Sequence, residues 1–299
     1  MNGFGSGRVT PVVMKNQIKT ILLLGVLSAI LIGFGALLGR QWVAGFFILA
    51  MILNLGAYFF SHKIVLRMHR AQPIAENDAP RLYATIRELT MRAEIPMPRV
   101  FLIRSPQPNA FATGRNPKNG VVAVTQGILQ VLTERELRGV LAHELGHIKN
   151  RDILVSTIAA AVAGAIAYIA NMLQFTAIFG IGSSDDDAPN PLAALALAIV
   201  APIAATLVQL GISRSREYLA DETGARISGD PESLASALEK LDRAAHVVPP
   251  VTAAPSTASL FIVNPFSGTR GLTSLFSTHP PMAERVRRLR ALTFARYAA

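Results

Sequence analysis

No cysteine occurs among the 299 residues of this chain. Disulfide bonds are therefore excluded, and so is any metal site built on thiolate ligands. A transition-metal site in this protein must take its protein ligands from histidine, aspartate and glutamate. The absence of cysteine does not by itself assign the protein to a compartment.

Charged residues are also scarce. They make up 16% of the sequence, whereas hydrophobic residues make up 51%, and the mean hydropathy is +0.38. Four stretches contain no charged residue, and each is long enough to cross a bilayer as a helix, which takes about 20 residues. These stretches are residues 20–39, 41–61, 153–184 and 188–213. The pattern predicts a mainly α integral membrane protein with four transmembrane helices, arranged as two hairpins that turn at Arg40 and at Asp185, Asp186 and Asp187.

Acidic residues are outnumbered by basic residues, 19 to 29, which gives a net charge of +10. The basic residues are concentrated in two polar segments, with 14 in residues 62–152 and 11 in residues 214–299. The turn at Arg40 carries one and the acidic turn carries none. The positive-inside rule therefore predicts that both polar segments and both termini face the cytoplasm. No nucleic-acid-binding motif accompanies the charge, so we expect no nucleic acid partner.

The distribution of polar and apolar segments predicts one polar domain that is split in the sequence. Residues 1–61 form an N-terminal transmembrane hairpin, and residues 62–152 form the first part of the domain. Residues 153–213 form the second hairpin, and residues 214–299 form the second part of the domain. Short runs of β-forming residues between amphipathic helices, at 99–104, 109–113 and 121–125, predict a mixed α+β composition for this domain.

One helix of the first polar segment carries the motif H-E-x-x-H at His143, Glu144 and His147. Thr133 and Glu136 have the spacing of a capping box, which predicts that this helix begins at Thr133. Histidines four residues apart lie on one helix face, so both imidazoles can bind one zinc ion. Glu144 lies beside them and can serve as the general base that takes a proton from water.

A catalytic zinc site usually has a third protein ligand. Glu217 is the strongest candidate, because its helix follows directly on the fourth apolar stretch and begins at the membrane end where His147 also lies. Asp221 lies one turn further along this helix and is placed to orient a ligand histidine. Glu222 is an alternative ligand. The residues alone leave open a second interpretation, in which Glu217 is a solvated side chain paired with a neighbouring arginine.

The sequence resembles the HtpX-type membrane zinc peptidases, which are relatives of the CAAX prenyl endopeptidases. Four motifs carry this resemblance: PNAFATG at 108–114, HELGHIKNRD at 143–152, SREYLAD at 215–221 and STHPP at 277–281. The resemblance implies a split zincin-like (gluzincin) domain, one zinc ion per subunit, Glu217 as the third ligand and Asp221 behind a ligand histidine. It also implies cleavage of misfolded or damaged membrane proteins and unfolded polypeptides at the cytoplasmic (inner) membrane, in protein quality control linked to stress.

Two further residues are candidates for the site. Asn109 precedes a predicted strand, where an edge strand can pair with an extended substrate; a turn-forming role after Pro108 is equally consistent with the residues. His279 precedes two prolines that fix the local backbone, so its ring can point into the cleft and steady an oxyanion. A loop histidine without a function is the alternative, and the resemblance favours a role for both residues.

Other interpretations fit the sequence less well. In site-2-type intramembrane proteases the motif lies inside an apolar span, whereas here charged residues surround it closely. A scaffold with a vestigial zinc site is disfavoured because Glu144 is intact. A transporter is disfavoured because no ionisable residue lies deep in a predicted span. The arginines at 285, 287, 288 and 290 are predicted to form a solvated helix face, and the sequence gives no indication of the oligomeric state.

Overall fold

The computed structural model describes residues 11–159, 214–247, 261–262 and 280–297. The helices with defined bounds in these residues are α1 (Pro11–Leu38), α2 (Val43–Met68), α3 (Pro80–Ala93), α4 (Gln126–Val131), α5 (Glu134–Asn150), α6 (Arg214–Ser228), α7 (Pro231–Val247) and α8 (Met282–Tyr297). The strands are β1 (Gln72–Pro73), β2 (Arg99–Ile103), β3 (Ala110–Thr113) and β4 (Val121–Thr125). Residues 153–159 are also helical.

Helices α1 and α2 form the first predicted hairpin. The chain reverses at Gly39, whose φ of 127° is a conformation that residues with a Cβ rarely adopt. Across the hairpin, Asn54 donates to the Ser28 hydroxyl at 2.6 Å and to the Leu24 carbonyl at 3.3 Å. Within the described residues, one helical stretch, Arg40–Met68, is long and apolar enough to cross a membrane, with a mean hydropathy of 2.1.

The second predicted hairpin falls mainly on residues 160–213, which lie outside the described residues. Its first residues, 153–159, are helical, in agreement with the start of the third predicted span. The arrangement with four transmembrane helices therefore stays a prediction. Helix α2 continues to Met68, beyond residue 61, where we expected the first hairpin to end.

The four strands form one sheet in the order β1-β2-β4-β3. Strands β3 and β4 are an antiparallel hairpin, and β4 runs parallel to β2. Every residue of β4 is buried, since α5 covers one face of the sheet and the end of α2 covers the other. Strand β3 is an edge of this sheet, and its outer edge faces α5.

Helix α5 is the centre of the main core. Its residues Leu141, Leu145 and Ile148 are fully buried against α3 and the sheet on one side and against α6 and α7 on the other. Helices α6 and α7 belong to the second polar segment, and α5 belongs to the first. Residues of the two segments thus share one hydrophobic core.

Candidate metal centre

Helix α5 is fixed at both ends. The predicted capping box is present: the Thr133 hydroxyl accepts from Glu136 N at 3.3 Å, and the Glu136 carboxylate accepts from Thr133 N at 2.8 Å. At the other end Arg151 has a φ of 55°, the left-handed conformation that commonly ends a helix. This turn reverses the chain and returns Asp152 to the side of His147.

Helices α5 and α6 approach closely because glycines lie between them. A Cβ at Gly224 of α6 would lie 2.8 Å from the backbone of His143, too close for any side chain. A Cβ at Gly146 of α5 would lie 3.1 Å from the Ala220 carbonyl oxygen. The two glycines therefore permit a separation at which Glu217 reaches both motif histidines.

The three predicted ligands come together at this crossing. Nε2 of His143 lies 3.1 Å from Nε2 of His147, and their rings are nearly perpendicular. Glu217 brings one carboxylate oxygen to 3.7 Å from Nε2 of His143 and the other to 3.8 Å from Nε2 of His147. Among the described residues this is the one set of three or more metal-binding side chains whose donor atoms converge.

These separations fit a tetrahedral metal ion. Donors bound at about 2.0–2.1 Å, the usual zinc–nitrogen distance, lie about 3.3–3.4 Å apart along the edges of a tetrahedron. The two nitrogens, 3.1 Å apart, are close to that value, and each lies 3.7 or 3.8 Å from a different oxygen of the Glu217 carboxylate. One donor atom from each of the three residues lies within 4.8 Å of the other two. Two imidazole nitrogens and one carboxylate form the donor set of a catalytic zinc site that leaves a position for water.

Each histidine has a carboxylate at its other ring nitrogen. Nδ1 of His147 lies 3.0 and 3.1 Å from the two oxygens of Asp152. Nδ1 of His143 lies 2.9 Å from one oxygen of Asp221. A proton on Nδ1 leaves the lone pair on Nε2, so both carboxylates direct Nε2 toward a metal.

The electrostatics of this cluster favour a bound cation. Burial by itself would lower the pKa of His147. The carboxylates of Asp152, at Nδ1, and of Glu217, at Nε2, outweigh burial and raise this pKa to about 10. Burial would likewise raise the pKa of Asp221, but Arg285 and His143 outweigh it and hold that pKa at about 2. The same negative potential that holds a proton on His147 attracts a metal ion to this position.

Arg285 corrects one of our predictions. We expected it on a solvated face with its neighbours, but its side chain is fully buried. Its guanidinium makes a bidentate contact with the Asp221 carboxylate, through Nε at 2.9 Å and Nη2 at 2.7 Å. Nη1 donates to the Ile262 carbonyl at 3.1 Å. The prediction holds for Arg287 and Arg288, which pair with Glu284 and are mostly exposed, while Arg290 pairs with Glu232 and Glu239.

Glu144 lies in the same cleft and is buried. One carboxylate oxygen accepts from the backbone N–H of Ala112, on the edge of β3, at 2.7 Å. Burial raises the pKa of Glu144, and the nearby histidines only partly oppose this. The half-open pocket at this position has a volume of about 40 Å³, enough for a water molecule beside Glu144 and the converging donors.

The other predicted site residues have different surroundings. Glu222 points away from the cluster and pairs with Arg226, and Glu217 is buried rather than solvated. Asn109 is buried just before β3, and its side-chain oxygen accepts from the backbone N–H of Ile262 at 3.1 Å. His279 lies outside the described residues.

Sequence reasoning missed two members of the site. Asp152 was given no role at the site, and Arg285 was predicted to lie on a solvated face. The signal for Asp152 is its position five residues after His147, just beyond the last turn of the helix. For Arg285 no signal exists in the sequence, because neighbouring arginines on the same helix are exposed.

A buried H-E-x-x-H helix with a converging carboxylate defines the class of a metallopeptidase. In agreement, the family model described as Peptidase family M48 matches residues 76–293 of this chain. The chain belongs to peptidase family M48 and is a metallopeptidase that hydrolyses peptide bonds.

Individual relatives cover almost the whole chain. It is 57% identical over 283 residues to a protein named Protease HtpX homolog from Syntrophobacter fumaroxidans, covering 93% of this chain and 100% of that protein. It is 52% identical to a protein of the same name from Pelotomaculum thermopropionicum, covering 93% and 99%. Among solved structures, Ste24p of S. mikatae matches 93% of this chain and 66% of its own length, with a TM-score of 0.48 and 18% identity. The resemblance to the HtpX-type peptidases is thus confirmed.

Proposed function

We propose that this chain is a zinc-dependent endopeptidase of the cytoplasmic membrane that cleaves misfolded or damaged membrane proteins on the cytoplasmic side. The observation that carries the proposal is the convergence of His143, His147 and Glu217 within 3.1 to 3.8 Å beside the buried Glu144. Two nitrogens and one carboxylate without a thiolate are a donor set that suits zinc.

Zinc, when bound by these three side chains, supplies a Lewis acid that polarises the scissile carbonyl and acidifies water. Glu144 takes the proton from the attacking water and delivers it to the leaving amine nitrogen. Ala112 N–H holds one oxygen of Glu144, which fixes the carboxylate next to the histidines. Asp152 and Asp221 hold the imidazole rings in the orientation that directs Nε2 inward.

An extended substrate can bind along the edge strand β3. This strand is an edge of the sheet, and the N–H of Ala112 points away from β4 toward Glu144. Asn109 binds a backbone N–H, that of Ile262, which is the contact that a substrate backbone would offer. We infer that Asn109 contacts the substrate and that His279 steadies the oxyanion of the tetrahedral intermediate.

The membrane part of the proposal rests on hydropathy and charge. Helix α2 exposes large apolar side chains along most of its length, among them Phe47, Ile48 and Ile52, which suits a surface against lipid. With 14 and 11 basic residues in the polar segments, both termini and the catalytic domain would face the cytoplasm. Because the chain has no cysteine, single cysteines placed at the exposed positions Arg40 and Arg104 can be labelled cleanly; modification of both from the same side would contradict this topology.

The direct test is hydrolysis of an unfolded protein and of a model membrane protein by the purified chain. Glu144→Gln should keep the fold and one zinc ion but lose at least about 100-fold in rate, the scale expected for loss of a general base. Glu134→Gln, an exposed carboxylate on the same helix, is the matched control and should cleave normally. Comparable cleavage by Glu144→Gln would overturn the assigned base.

A further inference from the structure

A cavity of about 570 Å³ lies where α2 leaves its apolar stretch, outside the metal centre. The C-terminal turns of α2, the first residue of β2 and the turn between β3 and β4 line this open cavity. Basic side chains from all three elements line it: Lys63, Arg99, Arg115 and Lys118. Four basic groups from three segments of the chain thus line the same cavity.

No carboxylate of the described residues compensates the positive charge of this cavity. None of these four side chains forms an ion pair with a carboxylate within residues 11–159, 214–247, 261–262 and 280–297. Lys63 and Arg115 lie instead on aromatic rings of α2, with Nζ of Lys63 5.2 Å from the Phe60 ring and the guanidinium of Arg115 5.2 Å from the Phe59 ring. Aromatic contacts hold these cations in place without neutralising them. A cavity with this potential attracts an anion.

The same cavity has an apolar wall. Phe59 and Phe60 line it and are 42% and 52% exposed, and both belong to the candidate membrane-spanning stretch Arg40–Met68. A free phosphate would use only the basic groups. A molecule that combines an anionic phosphate with a hydrocarbon chain would use both walls.

We propose that this cavity binds one anionic phospholipid, with its phosphate among Lys63, Arg99, Arg115 and Lys118 and an acyl chain along Phe59 and Phe60. Arginine presents paired N–H donors to phosphate oxygens, and basic pockets at the cytoplasmic ends of membrane helices favour anionic headgroups. The inference rests on the membrane placement of α2 in the proposed function. Since Arg99 and Lys118 belong to the catalytic domain, the lipid would fix the orientation of this domain on the membrane.

The test uses two double variants of the full-length chain that remove the same charge. Lys63→Gln/Arg99→Gln removes one cation from α2 and one from β2 inside the cavity. Arg67→Gln/Arg104→Gln removes one from the next turn of α2 and one just after β2, and both of these side chains are exposed and lie outside the cavity. Native mass spectrometry then counts the molecules of phosphatidylglycerol or phosphatidylcholine that each purified protein retains.

Wild type and Arg67→Gln/Arg104→Gln should retain one phosphatidylglycerol in preference to phosphatidylcholine. Lys63→Gln/Arg99→Gln should bind phosphatidylglycerol about tenfold or more weakly, since each basic residue near a membrane surface contributes about 1 kcal/mol. Equal retention by the two double variants overturns the site. If millimolar inorganic phosphate releases the lipid with no additional detergent, the cavity is a free-phosphate site, and the lipid assignment is overturned.

Two separate measurements distinguish failure of this inference from failure of the proposed function. Carbonate extraction of wild-type membranes tests whether the chain is integral, and the cleavage assay with Glu144→Gln tests the catalysis. A chain that stays in the membrane and cleaves, but retains both lipids equally, contradicts only the lipid site.

Discussion

Helix α5 carries two clusters of charge, a partly buried one at its first turn and a buried one on its C-terminal half, and their charges are paired differently. At the first turn, the Glu136 carboxylate accepts from Thr133 N at 2.8 Å, Ser236 Oγ at 2.8 Å and Lys240 Nζ at 2.6 Å. Every member of this cluster meets a partner of opposite polarity. The polar groups of such a cluster are paired within the protein, so the cluster stabilises the folded state.

The second cluster is paired mainly on its outer side, although Arg285 also lies 3.7 Å from one oxygen of Glu217. There Asp152 and Asp221 meet the Nδ1 atoms of His147 and His143, and Arg285 meets Asp221. On the inner side, two imidazole nitrogens and a carboxylate converge on one another, and acceptor groups at such distances repel unless a proton or a metal lies between them. Convergence of like groups therefore distinguishes a binding site from a structural polar cluster, and substitutions in the two clusters should have separable effects.

The largest effect is expected for the inner side of the second cluster. Glu217→Ala removes one of three converging donors, so we expect loss of stoichiometric zinc and a loss of activity of at least about 100-fold. Glu222→Ala, on the same helix but paired outward with Arg226, should keep both. Metal analysis of the purified variants and their hydrolysis rates decide this. Full zinc content in Glu217→Ala, with loss of zinc in Glu222→Ala, would show that Glu222 is the third ligand.

Substitutions on the outer side of the second cluster should also weaken zinc binding, but less than the loss of Glu217. Asp221→Asn and Asp152→Asn keep the shape of the side chain but remove the charge at Nδ1 of each histidine. We expect zinc affinity to fall by about 10–100-fold in each, because the rings lose the group that orients them. Competition with a chelator measures this. Asp230→Asn breaks an exposed pair with Arg135 and should leave the affinity unchanged, and an equal loss in all three would indicate a general effect of folding.

Arg285 acts one step further from the metal. Arg285→Lys keeps the charge but loses the two-pronged contact with Asp221 and the bond to the Ile262 carbonyl, so it should weaken zinc binding by several-fold and lower stability by about 1–3 kcal/mol. Arg287→Lys, on the same helix and mostly exposed, should do neither. Chelator competition and thermal unfolding of both variants measure the two quantities. A loss of stability with unchanged zinc affinity would make Arg285 a purely structural residue.

The contrast between the clusters also explains which parts of the molecule could be predicted. The helix start at Thr133 and the strand Val121–Thr125 follow from local rules, a capping box and a run of β-branched residues, and both were predicted correctly. The short strand β1 and helix α4 were not predicted. Strand β1 has two residues and depends on its pairing with β2, so no local pattern marks it.

Within the site, the motif spacing was enough to predict that His143, Glu144 and His147 share one helix face. It was not enough to choose between Glu217 and Glu222, because that choice depends on the rotation of α6 against α5. Gly146 and Gly224 set that rotation through a contact between residues 78 positions apart in the sequence. Burial of Arg285 is likewise a tertiary property, since it depends on where α8 packs.

The cluster at the first turn should affect stability and leave the chemistry intact. Burial by itself would raise the pKa of Glu136, but the bonds from Lys240, Thr133 and Ser236 outweigh it and lower this pKa from 4.5 to about 2. A carboxylate whose pKa is lower in the folded state stabilises the fold above its unfolded pKa. This contribution is complete above about pH 4.5 and is lost as the pH falls from 4.5 toward 2.

Glu136→Gln should therefore lower the melting temperature by a few degrees at neutral pH, with unchanged zinc content and cleavage rate. The difference from wild type should shrink below pH 4.5, because the wild-type carboxylate then takes up its own proton. Thermal unfolding followed by far-UV circular dichroism across this range measures it. Glu134→Gln is the matched control on the same turn: its pair with Arg81 is largely exposed, and such pairs contribute little, so its melting temperature should stay close to that of wild type. A Glu136→Gln difference that is the same at every pH would mean that the hydrogen-bonded shape of the side chain, and not its charge, stabilises the start of α5.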